Sequence, residues 1–318
     1  MNTSDNILYI PFVKMSAAGN DFVLVDDVQL SLQHKNYDML ARAICDRHYG
    51  VGADGLLIYK QHHPQAFEMD YYNADGSTGG MCGNGARCIS AYYFDVYGKD
   101  NQSVEFMAFG HLYKAIRDKR KILVHMRDPS HLITDLTITV DGKELGCNFI
   151  DTGAPHVVVF FDELQKHYPA FKFGEFDIKN LGSSIRRHEA FRPLGTNVNF
   201  VQPLSGNDIQ IRTYERGVEG ETLACGTGAI ASAVVSALHI RTKPPLFVHT
   251  KSGEILDVQF SHDDKYKNFS DITLSGSWRY HFTGIAYFDL NDKNKTGAIQ
   301  IPDTHMQMIR SRSTKMDR

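Results

Sequence analysis

Two stretches of this chain are apolar on every side of the helix each would form. Residues 83–97 carry only Arg87 and Asp95 as charges and stop before Gly98, and residues 226–240 carry no Asp, Glu, Lys or Arg at all. A helix without a polar face must be covered all round in a water-soluble chain, so each stretch predicts a helix wrapped by other elements. Strand-forming segments rich in β-branched and aromatic residues surround both: 21–26, 67–72, 122–127 and 156–161, then 198–202, 209–214, 245–250, 256–260 and 272–274. Two further helices are expected. One is an amphipathic helix over 37–47, with Tyr37, Leu40, Ala41, Ile44 and Cys45 on one face; the other spans 177–187 and contains Gly182. Strands outnumber helices and do not alternate with them. The expected fold class is therefore α+β, with two domains that are each a curved mixed sheet around a central buried helix. A length of 318 residues accommodates two such domains.

The two halves echo each other. Both central helices follow a Cys-Gly-x-Gly, first Cys82-Gly83-Asn84-Gly85 and then Cys225-Gly226-Thr227-Gly228. Asn73 lies nine residues before Cys82, and Arg216 nine before Cys225. Gly19-Asn20-Asp21-Phe22 echoes Gly195-Thr196-Asn197-Val198-Asn199-Phe200. Three echoes in the same order predict a duplicated, pseudo-symmetric pair. A net charge of -3 and a pI near 6.6 give no basis for nucleic acid or an anionic membrane as partner. No apolar run is long enough to span a bilayer, and the first residues lack the basic segment of a signal peptide. Five cysteines, sparse and odd in number, argue against a disulfide framework and for a reducing, cytoplasmic setting.

Cys82 and Cys225 are the expected acid/base residues. At a helix N-terminus the free amide N–H groups and the helix dipole stabilise a thiolate, which can act as a general base while a partner thiol acts as the acid. One such motif alone would read as a small buried hydrophobe; two in equivalent places favour chemistry. Inverting a carbon centre needs a proton removed from one face and another delivered to the opposite face, and duplicated halves supply one thiol each. Asn20, Asn73, Asn84 and Asn197 offer both donors and acceptors, as an ammonium-carboxylate ligand requires. Glu215 offers an acceptor for ammonium and Arg216 a fork for carboxylate. The competing readings are turns for the asparagines, a surface ion pair for Arg216, and a satisfied, partly buried histidine for His156, which otherwise supports the site. Gly50-Val51-Gly52-Ala53-Asp54-Gly55 matches G-x-G-x-x-G, but it follows a helix and leads into a strand, the reverse of the dinucleotide context. Cysteine and histidine spacings do not match a zinc site, and no lysine context favours a pyridoxal Schiff base. The expected chemistry needs no metal and no cofactor.

These residues resemble the diaminopimelate epimerase family. The resemblance rests on residues 14–22 (KMSAAGNDF), 47–55 (RHYGVGADG), 73–77 with 81–87 (NADGS and MCGNGAR), 195–200 (GTNVNF), 214–217 (YERG) and 221–228 (ETLACGTG), and it runs from about Phe12 to Phe288. It implies an N-terminal half over 1–130, completed by a C-terminal strand near 276–290, and a second half over 131–275; the tail over 291–318 has no counterpart in the family and reads from its polar composition as frayed. The resemblance also implies that Cys82 and Cys225 form the acid/base pair, and that Asn20, Asn73, Gly83, Asn84, Asn197, Glu215, Arg216, Gly226 and Thr227 bind substrate. Ala17, Gly55 and Ala154 depart from the family pattern, the last two where many members have glutamine and asparagine. These changes fall on contacts to the distal end of the substrate. The expected activity is cofactor-independent interconversion of LL- and meso-2,6-diaminopimelate in lysine and peptidoglycan precursor synthesis, with a homodimer as the expected assembly. The alternatives are a proline racemase-like or phenazine-biosynthesis-type isomerase of the same fold, and a non-catalytic amino-acid-binding protein.

Overall fold

A computed structural model describes residues 7–28, 37–63, 66–98, 100–263, 268–289 and 296–301. The chain forms two compact units, Met1–Val124 with Ser277–Arg318, and His125–Gly276. The first opens with β1 (Ile7–Ala17), β2 (Asn20–Asp26), α1 (Tyr37–Ile44), β3 (Gly55–His63), β4 (Ala66–Asn73), α2 (Gly83–Val96), β5 (Ser103–Ala108), β6 (His111–Asp118) and β7 (Lys121–His125). From β1 to β6 successive strands pair antiparallel, parallel, antiparallel, parallel, antiparallel. Phe22, Val23, Leu24 and Val25 of β2 are all fully buried, which a strand shows only when both sheet faces are covered. Val23, Val25, Leu56 and Ile58 pack with Leu40, Ala41 and Ile44 of α1. The opposite face meets α2, where Gly85 lies against Leu57 of β3. Thirteen of the fourteen residues of α2 are buried, as its missing polar face demands.

The second unit continues with β8 (Ser130–Val140), β9 (Lys143–Asp151), β10 (Pro155–Phe160), α3 (Phe161–His167), α4 (Ile178–Arg186), β11 (Asn197–Pro203), β12 (Asp208–Glu215), β13 (Gly220–Thr222), α5 (Gly226–His239), β14 (Leu246–His249), β15 (Ile255–Asp263) and β16 (Asn268–Gly276). From β9 through β10, β11, β12 and β14 to β15 the same alternation recurs: antiparallel, parallel, antiparallel, parallel, antiparallel. Leu164 of α3 and Leu181 and Ile185 of α4 cover Val157, Val159, Val198 and Phe200 on one face, and α5 lies on the other. Among the described residues no helix is long and apolar enough to cross a membrane.

The chain then returns to the first unit as β17 (Arg279–Asp289), antiparallel to β1, and β18 (Thr296–Ile301), antiparallel to β17. The segment read as a frayed tail therefore contains an edge strand. Residues 296–301 (TGAIQI) alternate and are β-branched enough to extend a sheet once β17 offers an edge; residues 302–318 lie outside the described residues.

The shared alternation makes β1–β6 equivalent to β9, β10, β11, β12, β14 and β15, and this corrects two of the sequence echoes. Phe22 pairs with Gly55 and His156 with Asn197, so β2 corresponds to β10, and Asn197 to Gly55 rather than to a residue of β2. The Gly19 and Gly195 stretches look alike because each glycine adopts positive φ (80° and 68°) to turn the chain into a buried strand. Gly55 pairs with Asn73, and extending the Val198–Tyr214 register by one residue sets Asn197 opposite Glu215. Asn73 thus corresponds to Glu215, not to Arg216. Helix α3 was not expected, because the apolar run of β10 continues without a break into Phe161.

Gly182 sits inside α4 because a Cβ there would lie 2.7 Å from Cβ and Cγ of the buried Tyr214. Helix propensity alone favours alanine over glycine by about 1 kcal/mol, but forcing α4 off Tyr214 costs roughly 1–3 kcal/mol. Gly182→Ala should therefore lower the urea midpoint. A raised midpoint would show that α4 has room to shift.

Candidate active site

Cys82 caps α2. Its extended backbone (φ −105°, ψ 107°) turns the side chain over the first helical turn, where Sγ accepts the Gly85 N–H at 3.4 Å. Cys225 caps α5 in the same way (φ −117°, ψ 118°), accepting the Gly228 N–H at 3.4 Å. The final glycine of each motif is a packing requirement. A Cβ on Gly85 would come within 3.0 Å of Leu57, and one on Gly228 within 2.4 Å of Asn199 Oδ1.

Around Cys82 the polar groups form a chain of fixed polarity. Arg87, fully buried, donates from Nη2 to Asn84 Oδ1 at 2.9 Å. That orients the Asn84 amide, whose Nδ2 donates to Asn20 Oδ1 at 3.4 Å. The same oxygen accepts from Cys82 Sγ at 3.7 Å, while Asn20 Nδ2 donates to Asp54 Oδ2 at 2.8 Å. Asp54 is held in turn by the Asp21 backbone N–H at 3.1 Å and by Arg47 at 2.8 Å. Asp21 pairs with Lys14 at 2.7 Å and Arg47 at 2.8 Å. Burial pushes the Asp21 carboxyl up, but hydrogen bonds from Arg47 and Lys14, with their charges, outweigh it and hold the group well below the usual carboxylate range. Asn73 stands apart from this chain in the 73–77 turn, its Nδ2 donating to Ser77 Oγ at 3.0 Å. At Gly55, the position that departs from the family pattern, a Cβ would lie 2.3 Å from the Tyr71 ring, so that ring occupies the space a side chain would need.

Around Cys225 the set is different. Thr227 Oγ1 lies 3.4 Å from Cys225 Sγ and 2.9 Å from His156 Nε2. His156 Nδ1 lies 2.9 Å from Asn199 Nδ2. Asn197 accepts the Arg216 backbone N–H at 2.9 Å and donates to the Pro155 carbonyl at 3.1 Å. The Arg216 guanidinium donates to the Leu194 carbonyl at 3.3 Å, and Glu215 accepts from Thr222 Oγ1 at 2.9 Å. Burial pushes the Cys225 thiol well up; the Glu215 carboxylate adds to this by charge and by accepting the S–H, and the donors Thr227 and Gly228 only partly offset it. Burial and the Glu215 charge thus oppose the thiolate that the helix terminus alone favours at Cys225. Desolvation and a neighbouring anion outweigh one turn of helix amides. Cys45 and Cys147, buried in the two cores, are pushed up to about 12 by burial and are simple packing residues.

Lys14, Asp21, Arg47, Asp54, Asn199 and Thr213 were given no role from the sequence, although all but Arg47, which lies in the turn after α1, are polar residues in or next to a strand. Among the described residues no three His, Cys, Asp or Glu side chains gather as around a metal ion.

His156 is fully buried, and burial, followed by the Arg216 charge, lowers its value from 6.5 to about 3. Because the folded value is depressed, the unfolded chain takes up this proton first as the pH falls. The stability present above pH 6.5 is therefore lost progressively toward pH 3. Between pH 7.5 and 4.5 the group should remove about 2–3 kcal/mol. Urea unfolding at both pH values should show a His156→Gln variant losing less stability than the parent by that amount; equal losses would contradict a buried neutral imidazole.

The diaminopimelate epimerase family model matches residues 12–132 and 148–271. The diaminopimelate epimerase of Aquifex aeolicus is 41% identical over 284 residues, covering 86% of this chain and 96% of that protein. The diaminopimelate epimerase of Caldanaerobacter subterraneus is 35% identical over 290 residues, covering 86% and 98%. Among solved structures, a Bacillus anthracis phenazine biosynthesis protein of the PhzF family superposes with a TM-score of 0.66 at 13% identity, covering 87% of this chain and 99% of that one. A hydroxyproline epimerase from Agrobacterium vitis superposes with a TM-score of 0.64 at 14% identity, covering 91% and 94%. The last two likenesses concern the fold alone. With the sequence relatives and the family match over most of its length, this chain belongs to the diaminopimelate epimerase family.

Proposed function

We propose that this protein interconverts LL- and meso-2,6-diaminopimelate without a cofactor, with Cys82 and Cys225 as the acid/base pair. The observation that carries the reading is that both buried helices are capped by a cysteine sulfur set in a hydrogen-bonded polar network. The extended match to diaminopimelate epimerases supports the substrate. A helix N-terminus with small residues at its first positions suits a carboxylate, so Gly83-Asn84 and Gly226-Thr227 bind the reacting head through backbone N–H groups. Asn20, Asn73, Asn197, Glu215 and Arg216 hold the remaining ammonium and carboxylate groups. The thiolate of one cysteine removes the α-proton, and the thiol of the other gives its proton to the opposite face. The sulfurs end with exchanged protonation states, which solvent resets. Cys225, held as a thiol at rest, is the proton donor in the first half-turn. A protein that only binds amino acids needs neither capped thiol.

Cys82→Ala and Cys225→Ala should each abolish epimerisation in both directions, read as the change in optical rotation from either isomer. Near-normal turnover in one of these variants would leave a single base and overturn the pairing. Arg216→Lys keeps the charge and loses the fork. A lost charge-assisted hydrogen bond is worth ~1.5–3 kcal/mol, so kcat/KM should fall at least about tenfold. A value within about twofold of the parent would remove Arg216 from substrate binding.

A further inference from the structure

The equivalence of the two units isolates a buried polar set that packing alone does not require. In the first unit the places level with His156, Asn199 and Thr213 are filled by Phe22, Leu57 and Tyr71. Phe22 and Tyr71 meet edge to face at 6.0 Å, and Leu57 lies under Gly85 as Asn199 lies under Gly228. Apolar residues therefore fill these places well. Replacing them with buried polar groups is unfavourable unless every group is paired.

Each member of the set is paired in a way that fixes its orientation. Asn199 Nδ2 lies 3.2 Å from the Val157 carbonyl, which can only accept, and Asn199 Oδ1 accepts the Thr213 hydroxyl at 3.0 Å. Turning the amide over would lose the Val157 bond and set two carbonyl oxygens against each other, whereas the Thr213 hydroxyl could serve either way. Its NH₂ therefore faces His156 Nδ1 at 2.9 Å, so that nitrogen must accept. In the neutral ring the proton then sits on Nε2, which donates to Thr227 Oγ1 at 2.9 Å. The Thr227 hydroxyl proton is left to point at Cys225 Sγ, 3.4 Å away.

We propose that Asn199 is a positioning residue, fixing the tautomer of His156 so that the imidazole holds the Thr227 hydroxyl with its proton directed at the Cys225 sulfur. This inference rests on the assignment of Cys225 to proton transfer. The sulfur has one acceptor, the Glu215 carboxylate, and two donors, the Thr227 hydroxyl and the Gly228 N–H. Arg216 is the other charge that acts on this set, through His156. When Cys225 gives up its proton, the resulting thiolate keeps both donors, already oriented. Asn199 thus acts on the thiol from two side chains away, touching neither the sulfur nor the substrate.

Two measurements on the full chain test this. In protein carrying ¹⁵N-histidine, long-range ¹H–¹⁵N correlations, with the His156 signals assigned by their loss in His156→Gln, should show a neutral ring protonated at Nε2 from pH 6 to 9. A proton on Nδ1 overturns the proposal whether or not any Asn199 variant folds. The pH dependence of Cys225 alkylation by iodoacetamide, followed by peptide mapping, reads the thiol directly and needs no turnover. Thr227→Val and Asn199→Leu should each raise its midpoint by about one to two pH units, the size of a hydrogen bond to a charged group. Because they break one chain, the double variant should shift no further than Thr227→Val alone. An unchanged midpoint in Thr227→Val, or additive shifts in the double variant, overturns the relay. If the midpoints move as described while Cys225→Ala still epimerises, the relay stands and the catalytic assignment of Cys225 falls.

Discussion

The organisation of each unit depends on one interaction, a backbone N–H of a buried helix donating to a cysteine sulfur. A helix with no polar face can exist only inside a sheet that wraps it, and there its first amide groups are cut off from water. Something must accept from them. In α2 and α5 the acceptor is the sulfur of the residue before the helix, and the glycine three positions on lets the sheet come close enough to seal the turn. The same contact that completes the helix thus delivers a titratable group to a place rich in backbone donors. Packing and the proposed chemistry share one residue in each unit.

Around that shared feature the two units diverge. Asn20 Oδ1, which also accepts from Asn84, presents an acceptor to Cys82, held by Asp54 on one side and by Arg87 through Asn84 on the other. Thr227, backed by His156 and Asn199, turns a donor toward Cys225, while the Glu215 carboxylate accepts a hydrogen bond from its S–H. A neutral amide oxygen beside one sulfur, and a carboxylate with a hydroxyl donor beside the other, leave the sulfurs of the duplicated scaffolds non-equivalent.

Much of this was legible in the sequence. Helices α2 and α5 were predicted within a residue or two because a charge-free helical stretch has few alternatives, and the two cysteine motifs marked their starts. What was hidden depends on contacts distant in sequence. Asp54 and Asp21 meet across 33 residues, and His156 and Asn199 across 43; neither pair has a local signature. The Gly19 and Gly195 stretches misled because a positive-φ turn before a buried strand writes the same short pattern wherever it occurs. The balance at Cys225 was hidden because a helix terminus can be read from sequence, whereas the burial and the Glu215 charge that oppose its effect cannot.

The central claim is that Cys82 and Cys225 together handle the α-proton, one as base and the other as acid. The direct measurement is epimerisation of LL-diaminopimelate in deuterated water, stopped after a few per cent conversion and analysed isomer by isomer. Two separate acid/base groups predict meso product carrying one deuterium at the inverted α-carbon, with the recovered LL substrate unlabelled. Protium retained in the product, or deuterium appearing in the recovered substrate as fast as in the product, would show a single group moving the proton and contradict the account.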